Sequence, residues 1–345
     1  MALTYKHILV IRLSALGDVA MTVPVISSLV EKYPDLKLTI VSRKFTAPLF
    51  EGIPRVDFLE ADVYGKHRGT GLIQLANEAR ALHIDAVADL HNVIRSRIIT
   101  AYLRLRGLAV ETIDKGRSEK AALTRRETRE IKPLKTTIAR YCEVFNSLGA
   151  PIEIGELKPL PKRDSGPRIR QLFEGPKTRA IGIAPFAAYK SKAYPLELMK
   201  QVIDKLDESG SFQVFLFGGG EQEVEALSAL ARSYRHVVNI AGQLTMTDEL
   251  SLISNLDLMV SMDSSNGHLA AMFGVPVVTI WGVTHPAAGF APFGQPETQR
   301  LIPDLKQFPL IPTSVYGNKF PEGYQKAIAS ITPEAIVEKI NEVLG

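Results

Sequence analysis

Short runs of β-branched and other apolar residues alternate with amphipathic stretches along almost the whole chain, and this alternation limits the fold more than any other feature. Such spacing predicts parallel strands joined by helical crossovers, because parallel neighbours need a long connection and bury both faces. In the first half the expected strands are His7 to Arg12, Lys37 to Ser42, Val56 to Glu60, Asp85 to Leu90 and Ala109 to Ile113. In the second half they are Ala180 to Ala184, Gln213 to Phe217, His236 to Ile240, Leu258 to Met262 and Val275 to Trp281, with helices near 195–209, 221–232, 247–255 and 267–273. Between the halves, residues 151–176 are rich in Pro, Gly and charge, which is the composition of an interdomain linker. The expected architecture is α/β: two doubly wound, Rossmann-like domains facing each other across a cleft. They cover residues 1–160 and 176–330 and are followed by a C-terminal helix over 331–345, with Thr332 as N-cap and Pro333 at the first helical position.

The chain has 345 residues, enough for two cores. No apolar run approaches the roughly 18 residues of a membrane span, and the apolar stretch near the N-terminus carries Arg12 directly behind it, unlike a secretory signal. A single cysteine, Cys142, allows no internal disulfide and provides no metal-binding pattern, so a cytoplasmic setting without a metal site is expected. The net charge is 41 − 37 = +4, which suits an anionic partner without identifying it. Much of the positive charge falls in one stretch, Lys115, Arg117, Lys120, Arg125, Arg126, Arg129, Lys132 and Lys135. That stretch reads either as a solvated loop or as a docking surface for phosphorylated headgroups or an acidic glycan. Nucleic acid is disfavoured, because few aromatic residues are interleaved with the basic ones and no binding motif is present.

Chemistry-bearing residues cluster in the loops after the strands, the edge where open α/β sheets bind ligands. After Leu258 to Met262 come Asp263, Ser264, Ser265, Asn266 and Gly267, and then a helix expected from His268. A helix start with small side chains and exposed N–H groups suits a phosphate or diphosphate. The first turn, Ser14 to Asp18, is small and polar but is no GxGxxG fingerprint, which argues against a nicotinamide enzyme. Asp18 reads either as an N-cap or as a general base at the strand edge. Lys192, after one strand and before a Pro-started helix, could meet a phosphate as a point charge. Glu221, behind the glycines 218–220, could accept hydrogen bonds from a ribose or simply complement the helix start. His268 has a structural alternative as well, a hydrogen bond within the turn.

Taken in order, SALGDV at 14–19, KAYP at 192–195, GGGEQE at 218–223, AGQLT at 241–245 and DSSNGHLAAMFGVPVVTIWGVTHP at 263–286 resemble glycosyltransferase family 9, the ADP-heptose heptosyltransferases of lipopolysaccharide synthesis. The resemblance implies a GT-B fold and an inverting, metal-independent transfer. It needs no cofactor beyond the nucleotide-sugar co-substrate, ADP-heptose by family default. Carried over residue by residue, Asp18 is the general base and Lys192 steadies the departing diphosphate. The donor is then met by Ser14, Gly17, Glu221, Asp263, Ser264, Ser265, Asn266, Gly267 and His268. The partners implied are that donor and a lipid-linked acidic glycan acceptor, with a monomeric enzyme in peripheral contact with the inner face of the cytoplasmic membrane. For the acceptor the expected residues are Lys66, Arg68, Lys115, Arg117 and Lys120, with His67 beside them.

The chain departs from the family pattern at Ser265, where glycine is usual, at Phe186 within Pro-Gly-Ala, and at Tyr194 in place of tryptophan. These departures leave every charged group in place but bear on the identity of the donor sugar. Two other readings fit the same residues: a nucleotide-sugar 2-epimerase of similar two-domain fold, and a catalytically silent nucleotide-sugar-binding protein.

Overall fold

The computed structural model describes residues 3–125, 131–174 and 179–345. Arg126, Arg129 and the expected boundary at Pro176 lie outside the described residues. The chain divides into two compact units, one made of Met1–Arg117 and Lys135–Leu160, the other of Ser118–Leu134 and Pro161–Gly345.

The first unit contains strands β1 (His7–Ile11), β2 (Lys37–Ser42), β3 (Val56–Glu60), β4 (Ala86–Asp89) and β5 (Ala109–Thr112), all parallel in the order β3-β2-β1-β4-β5. The central strands β1 and β4 are buried along their whole length, which explains their near-continuous apolar runs. One core cluster of this unit joins Leu9, Ile11, Val41 and Val87 to Leu72, Leu75, Ala76 and Ala79 of helix Gly71–Arg80 and to Ile99 and Leu103 of helix Ile94–Leu105. The helix positions recur at three- and four-residue steps, the stripe an amphipathic crossover helix must bury.

The second unit contains β6 (Arg179–Ala184), β7 (Phe212–Leu216), β8 (Val237–Asn239), β9 (Leu258–Met262), β10 (Val277–Ile280) and β11 (Arg300–Leu301). They form another parallel sheet, ordered β11-β10-β9-β6-β7-β8. β11 has only two residues, too few to leave a periodic signal, and went unrecognised in the sequence. The core packs Ile181, Ile183, Val214, Leu216, Val260 and Ile280 against Met199, Val202, Ile203 and Leu206 of helix Leu196–Glu208. It also takes Ile336 and Ile340 of helix Pro333–Leu344, whose Thr332 hydroxyl accepts the Ala335 N–H at 3.2 Å. Tyr194, the residue in the tryptophan position, belongs to this core: it is buried and its hydroxyl donates to the Ile331 carbonyl at 2.6 Å.

The stretch from 151 to 174 is not an open tether. Ile152, Leu157, Leu160 and Ile169 are buried, and Pro167–Leu172 forms a short helix. Its Pro, Gly and charge content masks apolar anchors spaced too irregularly to read as an element.

Candidate active site

Each sheet has one place where the strand order reverses, β1 beside β4 in the first and β6 beside β9 in the second. The loops outside the carboxyl ends of those strand pairs carry the polar residues singled out by their sequence.

In the first unit, β1 runs into Arg12, Leu13, Ser14 and Ala15 and then into helix Leu16–Ala20. Asp18 is therefore the third residue of that helix and not its N-cap, a position held by Ala15. Its Oδ2 lies 2.5 Å from Nη2 of Arg12 and accepts the Ala15 N–H at 3.4 Å. Arg12 is buried, and its Nη1 donates to the Leu90 carbonyl at 2.7 Å. Burial alone would lower the pKa of this guanidinium, but the Asp18 carboxylate, through its charge and its hydrogen bond, and the charge of Asp89 raise it, so it stays charged. The Tyr141 ring lies 5.9 Å from the guanidinium carbon, and its hydroxyl donates to the Asp18 backbone carbonyl at 3.2 Å. Burial holds the Tyr141 phenol protonated well above its ordinary range.

From the β4 side, Asp89 is fully buried and accepts the N–H groups of His91 and Asn92 at 2.9 and 2.8 Å, together with the Ser96 hydroxyl at 3.0 Å. It shapes the turn. His91 Nδ1 accepts the Leu13 N–H at 3.3 Å; burial, helped by the charges of Arg12 and Lys115, brings its pKa down to about 3, so the ring is neutral. Lys115 belongs to the same electrostatic neighbourhood: burial and then Arg12 lower its pKa to about 8, with Asp18 pulling the other way.

In the second unit, Lys192 ends a short turn, Lys190–Lys192, after β6, and its Nζ lies 2.9 Å from Oδ2 of Asp263, which follows β9. Both side chains are largely buried. The Thr284 hydroxyl, after β10, donates to the same Asp263 oxygen at 2.8 Å. The lysine stem is confined by backbone: a Cβ added at Gly317 would come within 2.8 Å of Lys192 Cγ and Cδ, and one at Gly282 within 2.1 Å of the Ser191 carbonyl oxygen. Larger residues are excluded from both positions. The helix after β9 spans Ser265–Ala271 with Ser264 as N-cap, so Ser265, Asn266 and Gly267 form its first turn. The Gly267 N–H is committed to the Ser261 hydroxyl at 3.0 Å, which leaves Ser265 and Asn266 as the other first-turn residues whose N–H groups have no partner within the helix. His268 is buried one residue further on.

Glu221 is exposed at the first position of helix Glu221–Ala231, and it is Glu223 that closes the glycine turn by accepting the Gly219 N–H at 2.8 Å. Ser14 is half-buried in the loop after β1, and Gly17 is the second residue of the helix that carries Asp18. Lys66 pairs with Glu78 at 2.6 Å, His67 is buried against the same carboxylate, and Arg68 is exposed. Arg117 donates to the Asn92 carbonyl at 3.3 Å. Lys120 belongs to the second unit, where its Nζ lies 4.2 Å from the centre of the Phe290 ring. Arg12, His91, Tyr141 and Thr284 were not singled out by the sequence. Arg12 left a signal there, as an arginine placed directly behind a buried strand and six residues before the aspartate, and Thr284 another, in the small polar loop after the strand expected at 275–281.

Two parallel α/β units, one with a carboxylate paired to a buried guanidinium and the other with a clamped lysine beside a helix start, fit the two-domain GT-B architecture that the motifs imply. The chain belongs to glycosyltransferase family 9 (heptosyltransferase), whose model matches residues 72–306. It is 24% identical over 297 residues to lipopolysaccharide heptosyltransferase 3 of Escherichia coli K12, covering 83% of this chain and 84% of that one. A glycosyltransferase family 9 structure from Veillonella parvula superposes with a TM-score of 0.76 at 20% identity, covering 100% of this chain and 98% of the other. The Escherichia coli heptosyltransferase WaaC with ADP-2-deoxy-2-fluoro heptose superposes with a TM-score of 0.66 at 17% identity, covering 97% and 99%. The family and fold expected from the motifs are thus borne out.

Proposed function

We propose that this chain transfers a heptose from an ADP-linked donor to a lipopolysaccharide or lipooligosaccharide core acceptor, with inversion at the anomeric carbon. The reading rests on family membership, on relatives that carry heptosyltransferase names, and on a neighbour of known structure with an ADP-heptose analogue. The observation that carries the mechanism is Asp18, a partly exposed carboxylate at the carboxyl end of β1 with one oxygen tied to Arg12.

In this reading the acceptor hydroxyl attacks the anomeric carbon from the face opposite the diphosphate. Its proton passes to the carboxylate of Asp18, a new carbon–oxygen bond forms, and the bond to the diphosphate breaks with its electron pair leaving on ADP. Lys192 meets the charge that develops on the leaving group, together with the N–H groups of Ser265 and Asn266, and supplies the cationic stabilisation without a metal ion. For Lys192 to do so, the diphosphate must compete with Asp263 for its ammonium. Asp263, freed in part and held by Thr284, then faces the donor sugar. Glu221 meets the ribose and Lys115 an anionic group of the acceptor.

The test is transfer from ADP-heptose to a core acceptor, followed in wild type and Asp18→Asn, with ADP-dependent thermal stabilisation as the check on folding. Asp18→Asn is expected to lower kcat at least about 100-fold while keeping the ADP-induced shift. Near-normal transfer by the variant would remove Asp18 as the base. Stabilisation of wild type by UDP or GDP but not by ADP would remove the ADP-linked donor.

A further inference from the structure

We infer that Arg12 is a positioning residue for the transfer reaction: it holds Asp18 by one oxygen so that the other alone receives the acceptor's proton. The inference rests on the reading of Asp18 as the base. Arg12 and Asp18 are joined through Nη2 and Oδ2 at 2.5 Å, and Oδ2 is also the oxygen that accepts the Ala15 N–H. Both bonds converge on one carboxylate oxygen. A carboxylate with two equivalent oxygens can rotate and present either; with Oδ2 fixed from two directions, Oδ1 keeps a defined direction. Orientation of this kind is a large part of what a general base contributes.

The arginine is itself immobilised. Its side chain is 7% exposed against 27% for Asp18, so the cation lies inside and the carboxylate reaches toward the surface. Nη1 is tied to the Leu90 carbonyl at the end of β4, and the Tyr141 ring lies 5.9 Å from the guanidinium carbon. Tyr141 also bonds the Asp18 carbonyl, so the helix start and the guanidinium are referenced to one side chain. Nε of Arg12 is buried and finds no hydrogen-bond partner among the described residues. The guanidinium therefore sits where Asp18 and Leu90 require it, at the cost of leaving another donor unsatisfied. Lysine at this position would keep the charge but has one nitrogen, which cannot meet Leu90 and Asp18 in the same fork.

The test is a double-mutant cycle in the transfer assay with Arg12→Gln, Arg12→Lys, Asp18→Asn and the combined Arg12→Gln/Asp18→Asn. Arg12→Gln is expected to lower kcat about tenfold or more with KM for both substrates changed less than about twofold, and Arg12→Lys is expected to fall between wild type and Arg12→Gln. In the Asp18→Asn background, Arg12→Gln is expected to change the residual rate by less than about twofold. Losses that multiply, so that Arg12→Gln costs Asp18→Asn the same factor it costs wild type, would overturn the inference, as would an effect on KM alone. Should Arg12→Gln lose its ADP-dependent thermal shift and thus its fold, the cycle is run with Arg12→Lys, and the same multiplication overturns the inference. Near-normal transfer by Asp18→Asn would instead defeat the reading of Asp18 as base, a separate outcome.

Discussion

Lys115 carries a charge that its surroundings only partly support. Burial and the nearby guanidinium of Arg12 bring its ammonium down to about 8, so it is a cation below that pH and neutral above it. The sign of the consequence follows. If Lys115 meets an anionic group of the acceptor, KM for the acceptor stays level below pH 8 and rises as the pH passes through that value. Lys115→Arg is expected to remove the alkaline rise, because a guanidinium keeps its proton, and Lys115→Met to raise the acceptor KM about tenfold at neutral pH. Initial rates at varied acceptor and saturating donor, from pH 6.5 to 9.5, give both results. An alkaline rise that persists in Lys115→Arg assigns it to another group.

Among the helices, Met246–Ser254 carries an internal cost in Glu249. Burial alone raises this carboxyl from 4.5 to about 7. At pH below 4.5 the folded and unfolded chains both hold the proton; between 4.5 and 7 the unfolded chain gives it up while the folded one keeps it, so stability falls as pH rises through that window. Above pH 7 the helix buries an ionised group. Glu249→Gln is expected to raise Tm by on the order of 2 °C or more at pH 8 and to leave it nearly unchanged at pH 4.5. Equal shifts at both pH values would show that amide packing, not charge, is responsible. The same element was legible in the sequence as a helix near 247–255, since periodicity reports which face is buried and is blind to a single acid at the edge of that face.

At the scale of the molecule, no helix among the described residues is long and apolar enough to cross a membrane. The first unit nevertheless exposes Tyr64 between the guanidinium groups of Arg43 and Arg95, at 5.3 and 4.9 Å, beside exposed Phe45; Ile94 and Ile98 lie exposed on the helix that carries Arg95. Cationic groups interleaved with aromatic and aliphatic ones suit the surface of an anionic bilayer, where a lipid-linked acceptor would be found. The chain is expected to sediment with phosphatidylglycerol vesicles and not with phosphatidylcholine vesicles. Binding is expected to weaken as salt rises and in Tyr64→Ser/Ile94→Ser. Equal binding to both vesicle types would remove this surface from consideration as a membrane contact.

By itself the sequence determined the alternation of strands and crossovers, the polar loops at their carboxyl ends, and the family. These are local properties: a strand buried on both faces must be apolar residue after residue, and a helix start that receives an anion must be small and polar over a few positions. Only the tertiary structure decided which side chains meet. Arg12 is anchored at the Leu90 carbonyl because β1 pairs with β4, and Tyr141 reaches the Asp18 carbonyl, 123 residues back in the chain, from helix Thr137–Ser147. Lys192, Asp263 and Thr284 come together because β6, β9 and β10 are neighbours in the sheet though separated in the chain. Lys120, grouped by sequence with Lys115 and Arg117, belongs to the second unit and packs there on Phe290. Hydrophobic periodicity specifies burial, whereas the partner of a charged side chain depends on strand order, which the chain settles only by folding.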